Sequence, residues 1–219
     1  MRTVETLRIL CGAAVLAIAG SAEIIDRVAV SVGNSAITTS DLEREIRVTA
    51  FLNGMSPDFG PASKRATAER MVEQKLVQHE LELSRYPAPE ASAMEQELNE
   101  FRTQHYKTDA EFQRGLADAG VSVQEVKDEL LWQLTLLRFI EIRFRPAVHV
   151  GEQEIQDYFE KAVKPVAQAA HPGSAVTLGD YYDEIEETLT GQRADKQLDA
   201  WLQEARQRTE IVYREEALQ

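Results

Sequence analysis

After Cys11 the 219-residue chain contains no further cysteine. Cys11 lies inside an early apolar run, so disulfides, thiol catalysis and thiolate metal sites are excluded from the rest of the molecule. Histidine is scarce too. His79, His105, His149 and His171 are far apart, and none stands at metal-ligand spacing with another histidine or a convincing carboxylate. No glycine-rich phosphate loop and no G-x-S-x-G nucleophile elbow is present. Acidic groups such as Glu152/Glu154 and Glu184/Glu186/Glu187 abound, but in an acidic helical chain such pairs mark solvated faces. No catalytic residue, metal site or cofactor is therefore expected. Dense patches of lysine and arginine are also lacking, and the formal net charge is −13. Phosphate binding rests on clustered cations, so nucleic acid is not an expected partner.

Only one long apolar run occurs, and it comes at the start. Arg2 and Arg8 give a basic beginning, residues 9–19 (ILCGAAVLAIA) are apolar, and Gly20-Ser21-Ala22 offers small residues for cleavage after Ala22. This is the three-part pattern of a secretory signal peptide over residues 1–22. The run is shorter than the roughly 20 residues a spanning helix needs. Leu10 precedes Cys11 where a lipoprotein signal wants a small residue. The expectation is export to the periplasm, with no membrane span after cleavage. In the leader, Arg2 and Arg8 against Glu5 leave +1, so the remainder carries −14.

What the chain does contain is helical periodicity. Over residues 121–146, Val123, Val126, Leu130, Leu134, Leu137, Ile140 and Phe144 recur at spacings of three or four. They predict one apolar stripe on a long helix. Ser122 and Glu125 make a capping box at its start, and Pro146 marks its end. Leu131, Trp132 and Leu136 widen the stripe, so this helix should touch neighbours on more than one side. Further helices are predicted from Ser40 to about Asn53, from Pro61 to about Arg85, over 90–105, from Thr108 to Gly120, over 152–163 and over 181–208, the last with a break at Gly191. Residues 26–38 read instead as a β-hairpin turning at Gly33-Asn34-Ser35. A short strand over 210–213 needs a partner, and the economical one is residues 27–32. Residues 148–150 read as a brief β-like link. Residues 164–176 look like the least ordered interior segment, and the tail 214–219 looks frayed. The fold class is mainly α, with a small N-terminal hairpin joined by a C-terminal strand.

Two features favour binding over chemistry. The loop over residues 53–60 carries Met55 and Phe59 between glycines, a thioether and a ring that adapt to varied apolar ligands. Long amphipathic helices joined by short connections can also leave an apolar groove for an extended chain.

The order of these elements resembles the SurA-type periplasmic chaperones. IIDRVAVSVGNSAITTSDLEREI is similar to their opening hairpin and first helix, and RMVEQKLVQHELELSRY to their second helix. TDAEFQRGLADAGVSVQEVKDELLWQLTLLRFIEIRF, VGEQEIQDYFEK and the closing LGDYYDEIEETLTGQRADKQLDAWLQEARQRTEIVY follow in the family's order. Gly151 stands where the family commonly has Ser or Thr. In that family one or two parvulin-type prolyl isomerase domains lie before the closing helix. Here only residues 164–176 occupy the place, and thirteen residues cannot hold such a domain.

The resemblance implies a helical chaperone domain over 23–163, a short linker over 164–176, and a segment over 177–219 that packs back on the core. It implies an ATP-independent holdase for unfolded or extended polypeptides, among them outer-membrane protein precursors, without isomerase activity of its own. Met55, Phe59, Trp132 and Leu136 are the candidate client contacts. Two other readings stay open: a prolyl isomerase or its accessory subunit, and a non-catalytic envelope assembly protein with one fixed partner. A homodimer is a further arrangement left open.

Overall fold

The computed structural model describes residues 26–84, 86–173 and 175–219. The expected leader, residues 1–22 with cleavage after Ala22, lies outside the described residues.

Strand β1 (Val28–Val32) turns at Gly33-Asn34 into β2 (Ser35–Thr38), with Val32 opposite Ser35. Gly33 supplies the positive φ (+54°) that such a tight turn needs. The register shifts between Val28 and Val30. That irregularity lets Ala29 and Val30, neighbours in sequence, both point inward and be fully buried. The closing strand β3 (Ile211–Tyr213) pairs antiparallel with β1, Val30 opposite Tyr213, and gives the order β2-β1-β3. The first and last strands of the described residues thus meet in one sheet, as the sequence predicts.

The helices follow their capping signals. The cap of helix α1 (Thr39–Leu52) lies two residues before Ser40, because Thr38 and Asp41 form the capping box, while the Ser40 N–H is taken by Asp26 Oδ1 at 3.2 Å. Helices α2 (Pro61–Ser84) and α3 (Ala91–His105) come next. Thr108 caps α4 (Asp109–Ala119), and Gly120 ends it at φ +64°. Ser122 and Glu125 form the expected capping box of α5 (Val123–Arg143), which is roughly 32 Å long at about 1.5 Å per residue.

Helix α5 does not bury the single stripe that its spacing predicts. Val126 and Leu130 are buried, but Leu137 is 60% exposed. From Trp132 onward the buried side is Trp132, Leu136, Phe139, Ile140 and Phe144. The face changes because different neighbours cover the two halves. The first half packs on α1, α3 and α4 with Val48, Phe51, Leu98, Phe112 and Leu116. The second half packs on the sheet, α2 and a later helix with Val30, Ile37, Leu42, Val72 and Leu202.

Residues 148–150 form no ladder among the described residues. Beyond them the chain departs from two expectations. Helix α6 (Glu152–Tyr158) runs through a π-helical turn (Phe159–Val163) into α7 (Lys164–Ala170). The first half of the expected 164–176 linker is therefore helix. Pro165 has no N–H to offer the Lys161 carbonyl four residues back, and the adjacent turn widens, with the Lys164 N–H bonding Phe159 O five residues back. Helix α8 (Tyr182–Arg208) is unbroken at Gly191, where an added Cβ would meet nothing within 4 Å. A glycine in open space costs about 1 kcal/mol of helix propensity, and packing at Ile185, Ala194 and Leu202 on either side outweighs it.

Two regions pack on α8. Ile155, Phe159 and Ile185 make a small outlying core between α6 and the first half of α8. Arg193 locks it by donating to Glu154 and to the His149 carbonyl. The second half of α8 joins the sheet core, where Arg206 bridges Glu69 (2.9 Å) and Glu73 (3.0 Å) on α2. The tail is docked, not frayed. Ala217 and Leu218 are buried in the sheet core, Arg65 pairs with Glu215 at 2.6 Å, and Lys64 Nζ donates to Gln219 O at 2.5 Å. Two apolar side chains and a cationic first turn of α2 suffice to hold six residues.

Candidate binding surface

Helices α2 and α5 leave an open seam between them. From α2 the positions Gln74, Gln78 and Leu81 face it, and from α5 the positions Asp128, Leu131 and Trp132. The spacings of three and four place each set on one helix face. Together they line a cleft of about 460 Å³. Trp132 rests half-buried against the sheet core while its neighbour Leu131 is 38% exposed. The cleft thus has an apolar floor of Leu81, Leu131 and Trp132, with Glu82 and Asp128 at its rim.

One turn further along the seam, α1 closes in and a second cavity of about 260 Å³ begins. Gln74 and Asp128 line both spaces, so the two adjoin. The wall here is acidic: Asp41 and Glu45 come from α1, Glu125 and Glu129 from α5. Arg44 is committed to Asp41, and Glu125 to the Ser122 cap. Glu45 and Glu129 have no salt-bridge partner among the described residues. Glu45 accepts from Thr49 at 3.2 Å and Glu129 from Gln133 at 2.9 Å. Burial, reinforced by the facing charge of Glu45, pushes the Glu129 carboxyl up to about 7. Among the described residues no group of three or more His, Cys, Asp or Glu has the geometry of a metal site, the acids of this cavity included.

The four sequence-predicted contacts do not converge. Trp132 lines the cleft, and Leu136, one turn on, packs half-buried against the sheet core. Met55 is 63% exposed on the loop between α1 and α2, tied by its N–H to Ala50 O at 2.9 Å. Phe59 on the same loop lies under the Arg47 guanidinium, 5.9 Å from the ring centre, and does not plug the core. The loop meets α2 at Pro61, about 25 Å along the helix from Gln78 in the cleft. Sequence reasoning missed Leu81 and Glu129. Leu81 stands on α2 two positions before Leu83, which is 68% exposed, so apolar character alone does not tell the two apart. Glu129 looks like any solvated acid until α1 is laid across it.

No family model matches the chain, and no curated protein matches its sequence.

Proposed function

We propose that this protein is a holdase-type chaperone, exported to the periplasm, that binds unfolded polypeptides without ATP and assists outer-membrane proteins in transit. The observation that carries the reading is the α2–α5 cleft, whose floor of Leu81, Leu131 and Trp132 stays open to solvent between two long helices. Leu83 and Leu137, on the same two helices, add exposed apolar surface. Met55 and Phe59 supply a second, exposed apolar contact point on the loop between α1 and α2. A chain held at two separated points and by low-specificity contacts suits many clients. Among the described residues no helix is long and apolar enough to cross a membrane.

The test is suppression of aggregation of an unfolded β-barrel protein diluted from denaturant. Light scattering should fall as the protein is added up to a several-fold molar excess, and Trp132→Ala should weaken the effect. Unchanged scattering at that excess would sink the reading. A proline-peptide isomerisation assay on the same preparation addresses the isomerase alternative. We expect the uncatalysed rate, since residues 164–176, half of them in α7, replace the domain that would carry the activity.

A further inference from the structure

The seam changes character along its length. Its outer part is apolar, with Leu81, Leu131 and Trp132, and its inner part acidic, with Glu45, Asp128 and Glu129. From Glu125 to Thr135 on α5 it runs about 15 Å, the length of four to five residues of extended chain. The acids are undercompensated. Arg44 is occupied by Asp41, Lys75 of α2 donates to Gln78 at 3.3 Å, and Arg70, whose charge reaches Glu129, donates to Thr67 Oγ1 at 3.1 Å, so none of the three cations makes a salt bridge to Glu45 or Glu129.

We propose that this seam binds an extended polypeptide segment in which a lysine or arginine stands beside apolar side chains, the cation entering between Glu45 and Glu129 and the apolar residues lying on Leu81, Leu131 and Trp132. The inference rests on the chaperone reading and specifies the client chemistry that one site selects. Charge complementarity decides the occupant. A purely apolar segment leaves the inner acids uncovered but still desolvated, an anionic one is repelled, and a cationic one supplies the partner that Glu129 lacks. The groups facing Glu129 are Asp41, Arg44 and Glu45 on α1, Arg70 and Lys75 on α2, and Glu125 and Asp128 on its own helix. Because Glu129 is held near pH 7 by burial and Glu45, an arriving cation ionises it and releases its proton. Affinity for a cationic segment therefore rises between pH 6 and pH 8.

The experiment uses three labelled nonapeptides of alternating leucine and serine, two of the serines replaced by lysine, by glutamate, or left as serine. Fluorescence anisotropy against the intact protein is followed at pH 6, 7 and 8. The lysine peptide should bind at least tenfold more tightly than the glutamate peptide, and more tightly at pH 8 than at pH 6. The double change Asp128→Asn with Glu129→Gln should cost the lysine peptide about tenfold and abolish its pH dependence, while the serine peptide binds as tightly as before or more tightly. Leu131→Ser should weaken the lysine and serine peptides. Because Leu131 is already part-exposed, this variant remains informative even if Trp132→Ala fails to fold. Equal binding of the three peptides, or indifference of the lysine peptide to the double change, overturns the proposal. If aggregation suppression persists in that case, the chaperone reading stands and only the seam is misassigned; if it is absent as well, both fall.

Discussion

The two cores strung along α5 are built on different principles. The helical core takes all its buried residues from Val48 to Leu130, from α1 and then the consecutive α3, α4 and α5, with only α2 of the other core intervening. Its seal is aromatic: Phe51, Phe101, Tyr106 and Phe112 meet with ring centres 5.3–6.3 Å apart. The sheet core runs from Ala29 to Leu218 and closes only when the last strand reaches the first. Its seal is partly ionic. Arg206 bridges Glu69 and Glu73, and the Tyr213 hydroxyl donates to Glu69 Oε2 at 2.7 Å. Burial works against the Glu69 charge, but the bonds from Tyr213 and Arg206 still hold its carboxyl below the usual range. Local contacts incur little loop-closure entropy and non-local ones incur much. The comparison teaches that the two cores, though they share α5, should differ in how much of their stability depends on distant parts of the chain.

The strongest way to break that comparison is Phe139→Ala. Phe139 is 1% exposed in the sheet core and packs edge-on against Tyr86, Phe144 and Trp201 at 5.4–5.5 Å. Truncating such a ring costs about 3–5 kcal/mol, read as a lower denaturant midpoint. The expected signature is uneven: amide exchange in α8 and β3 should accelerate far more than in α3 and α4. Equal acceleration everywhere would show one cooperative unit and erase the distinction.

A smaller effect sharpens the comparison where α1, α2 and α5 meet. Glu129 has its folded-state carboxyl raised to about 7 by burial and Glu45. The unfolded chain gives up that proton near 4.5, so the native state binds the extra proton between the two values. Stability from the neutral group is complete below about 4.5 and is lost as pH rises through 7. Glu129→Gln should therefore stabilise the protein at pH 8 by about 1–2 kcal/mol after allowance for solvent screening. The gain should vanish at pH 4. Thermal melts of the two proteins across pH 4–8 measure it, and a constant difference would remove Glu129 as the titrating group.

Much of this was legible in the sequence, wherever the cause is local. The cap at Thr108, the box at Ser122/Glu125, the stop at Gly120 and the hairpin at Gly33-Asn34 depend on residues within four positions of one another. The pairing of β3 with β1 was legible for another reason, since an isolated strand has nowhere else to go. The docked tail was not, because Ala217 and Leu218 look like two apolar residues in a polar end until the first turn of α2 presents Lys64 and Arg65 to it. The helix over Lys164–Ala170 was hidden by Pro165, whose disruption is absorbed in one widened turn. For the candidate site, Trp132 stood out as an excess apolar residue. Its partner Leu81 and the acidic cavity beside it depend on which helix lies across α5, and period alone does not report that.

The finest distinction concerns α5 itself. A single stripe from Val123 to Phe144 makes Leu137 a core residue equal to Leu130. The two cores lie on different sides of the helix, however, so the buried face turns between Leu130 and Trp132 and leaves Leu137 60% exposed. A side chain with most of its surface in water loses little when made polar, so Leu137→Ser should change unfolding free energy by no more than about 0.5 kcal/mol. Leu136→Ser, one residue away and half-buried against the sheet core, should cost several times as much, because it removes packed methyl groups and puts a hydroxyl in their place. Paired denaturant titrations of the two variants decide between one stripe and two faces. A loss at Leu137 as large as that at Leu136 would mean that α5 presents a continuous apolar edge to a third neighbour, and the exposed leucines that the chaperone reading uses would then belong to packing.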